Sequence, residues 1–316
     1  MPSIVVTGAA GFLGGHVVER LVAEGAAVLG IDREPAPAHL ADLSGLTWLR
    51  ADLTGGTPSV ADALGAALGE AEAVLHLAGC PSVRDRAPDV DWRRQRDNVD
   101  ATGRVLAATP ASTPAVVTSS SSVYGGSRAA RPCRETDPLE PRGGYATSKV
   151  RAERLCAARL AAGGAVLVAR PFTVAGERQR ADMALSRWID AARRGEPLVL
   201  LGSPDRTRDI TDVRQVARAL VQLLRSGATG TVNVGTGTAH PLADLVDAVR
   251  SAVGRDVRTV VVPARHEEVR QTRADTTRLE KLLGWSPRTY LRTLVARQAM
   301  AQETAPPVLH SELVSA

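Results

Sequence analysis

The sequence predicts an α/β fold: a doubly wound parallel sheet with a smaller, interleaved C-terminal substrate domain. Three observations predict it. Short apolar runs of strand type alternate with helical patterns through the first half of the chain. The first run passes straight into a glycine-rich turn and then a helix. And 316 residues at 44% hydrophobic content suffice for two domains or one large α/β unit. Aromatics are only 3%, so valine, leucine and alanine must fill the core.

Residues 3–7 form the first strand. Gly8-Ala9-Ala10-Gly11-Phe12-Leu13-Gly14 follows at once, and a helix runs over residues 16–24. Strand, glycine turn and helix in that order make a dinucleotide site. Gly8, Gly11 and Gly14 allow a tight turn and close approach of backbone to a pyrophosphate, and the helix start offers free N–H groups. Residues 27–31 form the second strand, which ends at Asp32. An acid there accepts hydrogen bonds from the adenosine ribose and repels a 2′-phosphate, which favours NAD over NADP. Arg33 next to it argues mildly the other way. Residues 48–53 read as a third strand, with Asp52 placed to reach the adenine. Residues 73–79 read as a fourth. Residues 116–125 read as a fifth, running into four serines. Ligands of open α/β sheets bind beyond the carboxyl ends of strands, so the serines lie where chemistry is expected.

Tyr145 and Lys149 stand four apart on a helical pattern, hence on one face. An ammonium beside a phenol favours the phenolate, so the tyrosine pKa is expected to fall below its usual value of about 10. A phenol tuned that way serves as general base and acid. The plainer reading is a surface tyrosine and a surface lysine at that spacing.

Composition bounds the rest. Net charge is +5, with arginine far outnumbering lysine. This fits a phosphate-bearing ligand and equally a GC-rich genome. No Lys/Arg block is dense enough for a nucleic-acid tail. Cys80, Cys133 and Cys156 are odd in number and lack metal-ligand spacing, which implies a reducing, cytoplasmic setting without a disulfide framework or metal. There is no signal-peptide pattern and no apolar run of membrane-spanning length. Residues 303–316 read as a flexible tail.

Taken in order, the glycine pattern, Asp32, the serine-rich strand end, Tyr145 with Lys149, and Arg208-Asp209 resemble an extended short-chain dehydrogenase/reductase. The resemblance is to the NAD-dependent nucleotide-sugar epimerase/dehydratase family and covers residues 3–300. It implies a Rossmann domain over 1–170 and 207–235, and a sugar-nucleotide domain over 171–206 and 236–302. It makes Ser120 the catalytic hydroxyl and Tyr145 the base, with Lys149 holding the nicotinamide ribose. Asn98 resembles the asparagine that supports the active-site helix. Cofactor contacts are implied at Phe12, Leu13, Leu53, Leu77, Ala78, Gly79 and Pro171 as well. Residues 232–235 would be the last strand of the Rossmann domain, and residues 282–287 would close the smaller one. A homodimer through residues 90–108 and 145–162 is also implied.

The residues between the motifs narrow the choice. Sugar 4,6-dehydratases carry Asp-Glu where this chain has Ser121-Ser122, and decarboxylases keep a glutamate at the position of Ser122. The stretch 170–183 is similar to the Phe-Thr-Val-Tyr-Gly-Pro…Gln-Arg-Pro-Asp-Met signature of UDP-glucuronate 4-epimerases. In that family Thr173 and Arg180 would contact the sugar carboxylate, with Ser121 and Ser122 nearby. Arg208 would bind the diphosphate, and Arg265 or Arg270 would supply a second phosphate contact. Ala175 replaces the signature tyrosine and Ala181 its proline, so a wider pocket and a less fixed loop are expected. The implied reaction is conversion of UDP-glucuronate to UDP-galacturonate through a 4-keto sugar. The rivals are a 4-epimerase or 4-ketoreductase on another neutral or modified nucleotide sugar, and an NAD-sensing regulatory protein.

Overall fold

The computed structural model describes residues 3–81, 87–127 and 131–303. Of the tail assigned to residues 303–316, Glu303 ends a helix and residues 304–316 lie outside the described ones. Strand and helix alternate from the start: β1 Ile4–Thr7, α1 Phe12–Ala23, β2 Val28–Asp32, α2 Ala38–Ala41, β3 Leu46–Arg50, α3 Pro58–Gly69 and β4 Ala73–His76. Then come α4 Val90–Arg94, α5 Ala101–Ala108, β5 Ala115–Thr118, α6 Gly143–Ala161, β6 Val166–Pro171 and β7 Thr173–Ala175. These are followed by α7 Ala184–Arg194, β8 Leu198–Leu201, β9 Thr207–Arg208, β10 Ile210–Asp212, α8 Val213–Arg225 and β11 Gly230–Val234. The chain continues with β12 His240–Pro241, α9 Leu242–Val253, β13 Thr259–Val262, α10 Thr277–Leu283 and α11 Leu291–Glu303.

Among the described residues seven parallel strands form one sheet, in the order β11-β6-β5-β4-β1-β2-β3. The order reverses between β1 and β4, which creates a switch point at their carboxyl ends. The register sets Thr7 beside both Ile31 and His76 there. Alternation along each strand divides the core. Val6, Leu75, Val116 and Leu167 meet α1, α8 and α10 on one face, while Val5, Val74, Val117 and Val168 meet α3, α5 and α6 on the other. Leu21 and Leu220, both without exposed surface, each contribute about 1.5–3 kcal/mol by leaving water.

A separate apolar cluster gathers α7, β8, α9 and α11 around Ile189, Leu200, Val249 and Val295. Ala175 is buried in it. The pocket-widening expected from the missing tyrosine ring is therefore not found at this position: the methyl group faces the apolar cluster. Residues 282–287 also differ from expectation. Leu279, Leu282, Leu283 and Trp285 join the sheet's own core, since α10 lies against β11 and α8.

Several element boundaries differ from the sequence reading, and three of them have a local reason. The first helix begins at Phe12, because nothing after the glycine turn interrupts it. β3 stops at Arg50, and Asp52 accepts hydrogen bonds from the Thr54 amide (2.8 Å) and hydroxyl (2.7 Å) in a side-chain-closed turn. β5 stops at Thr118, and Ser121–Tyr124 winds into a 3₁₀ turn capped by Ser120. The Ser120 hydroxyl accepts the Ser122 amide at 3.1 Å, an alternative to the strand ladder. Cys80, Cys133 and Cys156 are buried, and no disulfide joins them. No helix among the described residues is long and apolar enough to cross a membrane.

Candidate active site

The glycine turn is built as its residues require. Gly8 has φ +70°, and a Cβ there would sit 2.6 Å from the Ala78 amide nitrogen. A Cβ on Gly14 would fall 2.0 Å from the Gly8 carbonyl oxygen. The close approach of β1, β4 and α1 is thus open only to glycine. α1 starts at Phe12 after Gly11 with no side-chain cap, which leaves its first N–H groups directed out of the turn. Leu13 packs into the sheet core. Asp32 ends β2 and accepts the Ala10 amide at 3.0 Å and the Glu34 amide at 3.1 Å. Arg33 turns away to pair with Asp97 at 3.0 Å. Asp52, held in its own turn and near Arg33 and Arg96, has a carboxyl below its ordinary range. Burial opposes that shift, and the Thr54 donors and the two arginines outweigh it. Leu53 packs beside the core face of α3 and α5.

Beyond β4, Leu77, Ala78 and Gly79 run along the floor of the cleft. A Cβ on Gly79 would meet the Asn98 side-chain oxygen at 2.5 Å and lie 3.5 Å from Lys149 Nζ. Asn98 sits in a π-helical turn, Gln95–Asp100, between α4 and α5. Its side-chain oxygen accepts the Cys80 amide at 2.8 Å. Its nitrogen donates to the Cys80 carbonyl (3.1 Å) and to Ser148 Oγ (2.8 Å). Ser148 in turn donates to the Tyr145 carbonyl at 2.7 Å. One buried asparagine thereby joins the cleft floor to the first turns of α6. Thr102 donates to the Asn98 carbonyl (2.7 Å), so its oxygen accepts from His76 Nε2 (3.0 Å), and His76 Nδ1 takes the Thr7 hydroxyl (2.7 Å). Burial, with the Lys149 charge, pushes His76 down to about 3, so it is the neutral Nε2–H tautomer.

Ser120, Tyr145 and Lys149 converge at the end of β5. The Ser120 side chain hydrogen-bonds the Tyr145 phenol. Lys149 is buried and donates to the Thr118 carbonyl at 2.9 Å. Burial brings its ammonium down to about 8. The phenol contradicts the sequence expectation: burial raises the Tyr145 pKa above its ordinary value. The Ser120 hydrogen bond and the Arg180 charge pull the other way, and Lys149 contributes nothing resolved. One helical turn puts the two residues on a face, yet the ammonium is spent on a backbone carbonyl instead of the phenol. Ser121 and Ser122 lie in the 3₁₀ turn beside this trio, and Ser122 Oγ is buried without a hydrogen-bond partner.

Across the cleft, Thr173 opens β7, which runs beside β10 with Thr173 opposite Ile210. Pro171 ends β6 opposite Val234 of β11. Arg180 is near enough to Tyr145 for its charge to act on the phenol, and its own fork holds Asp182 through Nε (2.9 Å) and Nη2. Arg208 donates to the Thr207 carbonyl (2.9 Å) and lies 3.4 Å from Glu268. The Arg270 carbonyl accepts the Thr207 amide at 3.1 Å, and the Arg265 and Arg270 side chains are exposed. Asp209 is wholly buried and accepts the amides of Thr236 (2.9 Å), Gly237 (3.0 Å) and Ala274 (3.0 Å) plus the Thr236 hydroxyl (2.7 Å). Burial raises its carboxyl despite those donors.

Sequence reasoning missed the support behind the serines. Glu153 and Arg170 form a buried fork–fork pair (2.9 and 2.6 Å), and Ser119 donates to Glu153 at 2.5 Å. Arg170 also donates to the Tyr124 hydroxyl (2.8 Å), which donates to Asn233 (2.7 Å). Glu153 falls four residues after Lys149, and that spacing was the available signal.

A model of the NAD dependent epimerase/dehydratase family matches residues 4–235. The chain belongs to this family. It is 36% identical to MoeE5, solved in complex with UDP-glucuronic acid and NAD, over 95% of this chain and 99% of that one, with a TM-score of 0.84. It is 27% identical to UDP-glucuronic acid 4-epimerase from Bacillus cereus, solved with UDP-glucuronic acid and NAD, over 95% and 98% of the two chains, with a TM-score of 0.86. An uncharacterized UDP-glucose epimerase, YtcB of Bacillus subtilis, is 30% identical over 92% of this chain and 94% of its own.

The cofactor of this epimerase/dehydratase is NAD. The residues present fit it. Gly8 and Gly14 let β1, β4 and α1 close up as only glycine allows, α1 brings an uncapped N-terminus to that turn, and Asp32 stands at the end of β2. Arg33, the residue suited to a 2′-phosphate, is engaged by Asp97.

Proposed function

We propose that the protein inverts C4 of a UDP-hexuronate, converting UDP-glucuronate to UDP-galacturonate through a transient 4-keto sugar without loss of CO₂. Gly8, Gly11, Gly14, Asp32 and Asn98 are proposed to shape the cofactor site, with Lys149 on the nicotinamide ribose. NAD supplies the acceptor that takes the C4 hydride and gives it back. Tyr145, with Ser120, takes the proton of the C4 hydroxyl and later returns it. Because burial disfavours the phenolate, the Ser120 hydrogen bond and the Arg180 charge are what favour the ionised form that can accept the proton. Arg208 anchors the diphosphate while the planar sugar turns over.

What carries this reading is that Arg180 lies near enough to Tyr145 for its charge to favour the phenolate. A planar fork suits a carboxylate. Ser122, buried with an unused hydroxyl, and Thr173 provide further donors. A 4-keto-uronate is a β-keto acid, and decarboxylation needs the breaking bond aligned with the carbonyl π system. Donors that hold the carboxylate out of that alignment suppress it, as orientation control contributes several kcal/mol. Neither Ser121 nor Ser122 supplies an acid for dehydration. A homodimer through α4–α5 and α6 belongs to the same proposal, supported by the Trp92 indole, 59% exposed on α4.

A second reading has one specific observation behind it. Asp182 occupies the Arg180 fork, which would leave a neutral hexose as substrate. MoeE5 has been solved with UDP-glucose and NAD as well as with the uronate. The test is incubation with UDP-glucuronate and with UDP-glucose, followed by NMR. UDP-galacturonate supports the proposal. A pentose product, accumulating NADH, or turnover of UDP-glucose alone overturns it.

A further inference from the structure

Arg178 is, among the described residues, the only non-glycine with a positive φ, +63°. A residue persists in that region only where its surroundings over-determine it, and such outliers gather at functional sites. The surroundings here are specific. Arg178 grips Glu19 with both arms of its fork, at 2.8 and 2.6 Å, and donates to His16 Nδ1 at 3.0 Å. His16 is buried, and its Nε2 donates to the Glu177 carbonyl at 3.1 Å. With that proton on Nε2, Nδ1 is free to accept from Arg178. The Phe12 ring stands edge-to-face on His16, with centroids 5.9 Å apart. Phe12, His16 and Glu19 all lie on α1, the helix that opens the cofactor cradle.

The neighbours of Arg178 are tied elsewhere. Glu177 pairs with Arg214 of α8 and, at 2.9 Å, with Arg297 of α11. The Gln179 side chain accepts from Gln298 of α11 at 2.8 Å. Arg178 therefore reaches α1, Glu177 bridges α8 and α11, and Gln179 is held by α11 alone. Two residues on stands Arg180, whose charge acts on Tyr145.

We propose that Arg178 is a positioning residue: its grip on Glu19 and His16 fixes the 176–183 loop against α1 and so sets where the Arg180 guanidinium stands over the substrate. The inference deepens the carboxylate reading of Arg180 and rests on it. It also accounts for a loop that lacks the signature proline at Ala181 and yet is held at every residue from Gly176 to Arg180.

Arg178→Gly separates the two features, since glycine adopts φ +63° freely but has no fork. Glu19→Gln, which keeps shape and loses charge, is the second variant. kcat and KM are measured for UDP-glucuronate and UDP-glucose in both variants, in Arg180→Ala and in the Arg178→Gly/Arg180→Ala double variant. We expect Arg178→Gly to lower the ratio of kcat/KM for uronate over glucose at least tenfold, mostly through KM, with Glu19→Gln in the same direction. In the Arg180→Ala background Arg178→Gly should add less than twofold. Because the Arg178–Glu19 pair is a third exposed, thermal stability should move little. Equal losses on both sugars, or effects of the two arginines that multiply independently, overturn the proposal. A wild type that prefers neither sugar defeats the carboxylate reading by itself. The dependence of the Arg178→Gly effect on Arg180, read on whichever sugar turns over, then still decides the positioning role.

Discussion

Replacing Lys149 with methionine should make the NAD-free protein more stable at neutral pH and less stable in alkali. Burial lowers the lysine pKa from its ordinary 10.5 to about 8. A lysine with a depressed folded pKa sheds its proton earlier in the folded state. Between about pH 8 and 10.5 the unfolded chain then binds more protons, and stability rises with pH through that window. Below it, the buried charge costs the fold about 3 kcal/mol, taking the fall to about 8 at about 1.36 kcal/mol per pH unit. Methionine removes that cost with similar volume, but it leaves the Thr118 carbonyl without its 2.9 Å donor. An unmet buried acceptor costs about 1–3 kcal/mol. The net expectation at pH 7 is a gain of about 1–2 kcal/mol, reversing to a loss of similar size near pH 10.5. Urea unfolding of both proteins at pH 7, 8, 9 and 10, followed by tryptophan fluorescence, measures the difference directly. A stability difference that stays flat across these pH values refutes the electrostatic account. So does a variant that is less stable at pH 7.

Three further outcomes are expected. Ser120→Ala removes a hydrogen bond that favours the phenolate, so the rise of kcat with pH should move to higher pH in pH–rate profiles, and an unmoved profile would exclude a Ser120–Tyr145 link. Glu153→Gln leaves the Arg170 cation buried without its carboxylate and should cost about 3–5 kcal/mol in urea unfolding; a loss below about 1 kcal/mol would show that the bonds Arg170 donates to the Tyr124 hydroxyl and, at 3.3 Å, to the Glu135 carbonyl suffice. Asp32→Ala should weaken NAD binding about ten- to a hundredfold in calorimetric titration, in line with charge-assisted hydrogen bonds worth about 1.5–3 kcal/mol, while NADP gains relative to NAD.

The Rossmann half was legible because its signals are local. The short apolar runs, the glycine turn and the acid at Asp32 each lie within a few residues, and the sheet order places them at the switch point. That serines lie at the end of β5 was legible from the strand, and the pairing of Ser120 with Tyr145 was implied by the family resemblance alone. The sign of the Tyr145 shift was not, since burial depends on what packs around the phenol and not on the lysine one turn away. Ala175 was misread for the same reason: its neighbours, such as Ile210 and Leu185, come from other segments. The grip of Arg178 on Glu19 spans 159 residues of sequence, and no motif joins the two.

The π-helical turn at Gln95–Asp100 bears on how the family can change. Such a turn amounts to one extra residue within an α-helix, and these insertions gather at functional sites. Deleting a single residue there would regularise the helix and shift Asn98 from the position in which it holds Cys80 and Ser148. A deletion at residue 99 or 100 would also break the four-residue spacing by which Thr102 donates to the Asn98 carbonyl, and His76 would lose its acceptor. The segment is therefore intolerant of length change although its side chains are mostly replaceable, so a deletion scan across residues 95–100 should inactivate the protein where alanine substitutions at Gln95 or Asp100 do not.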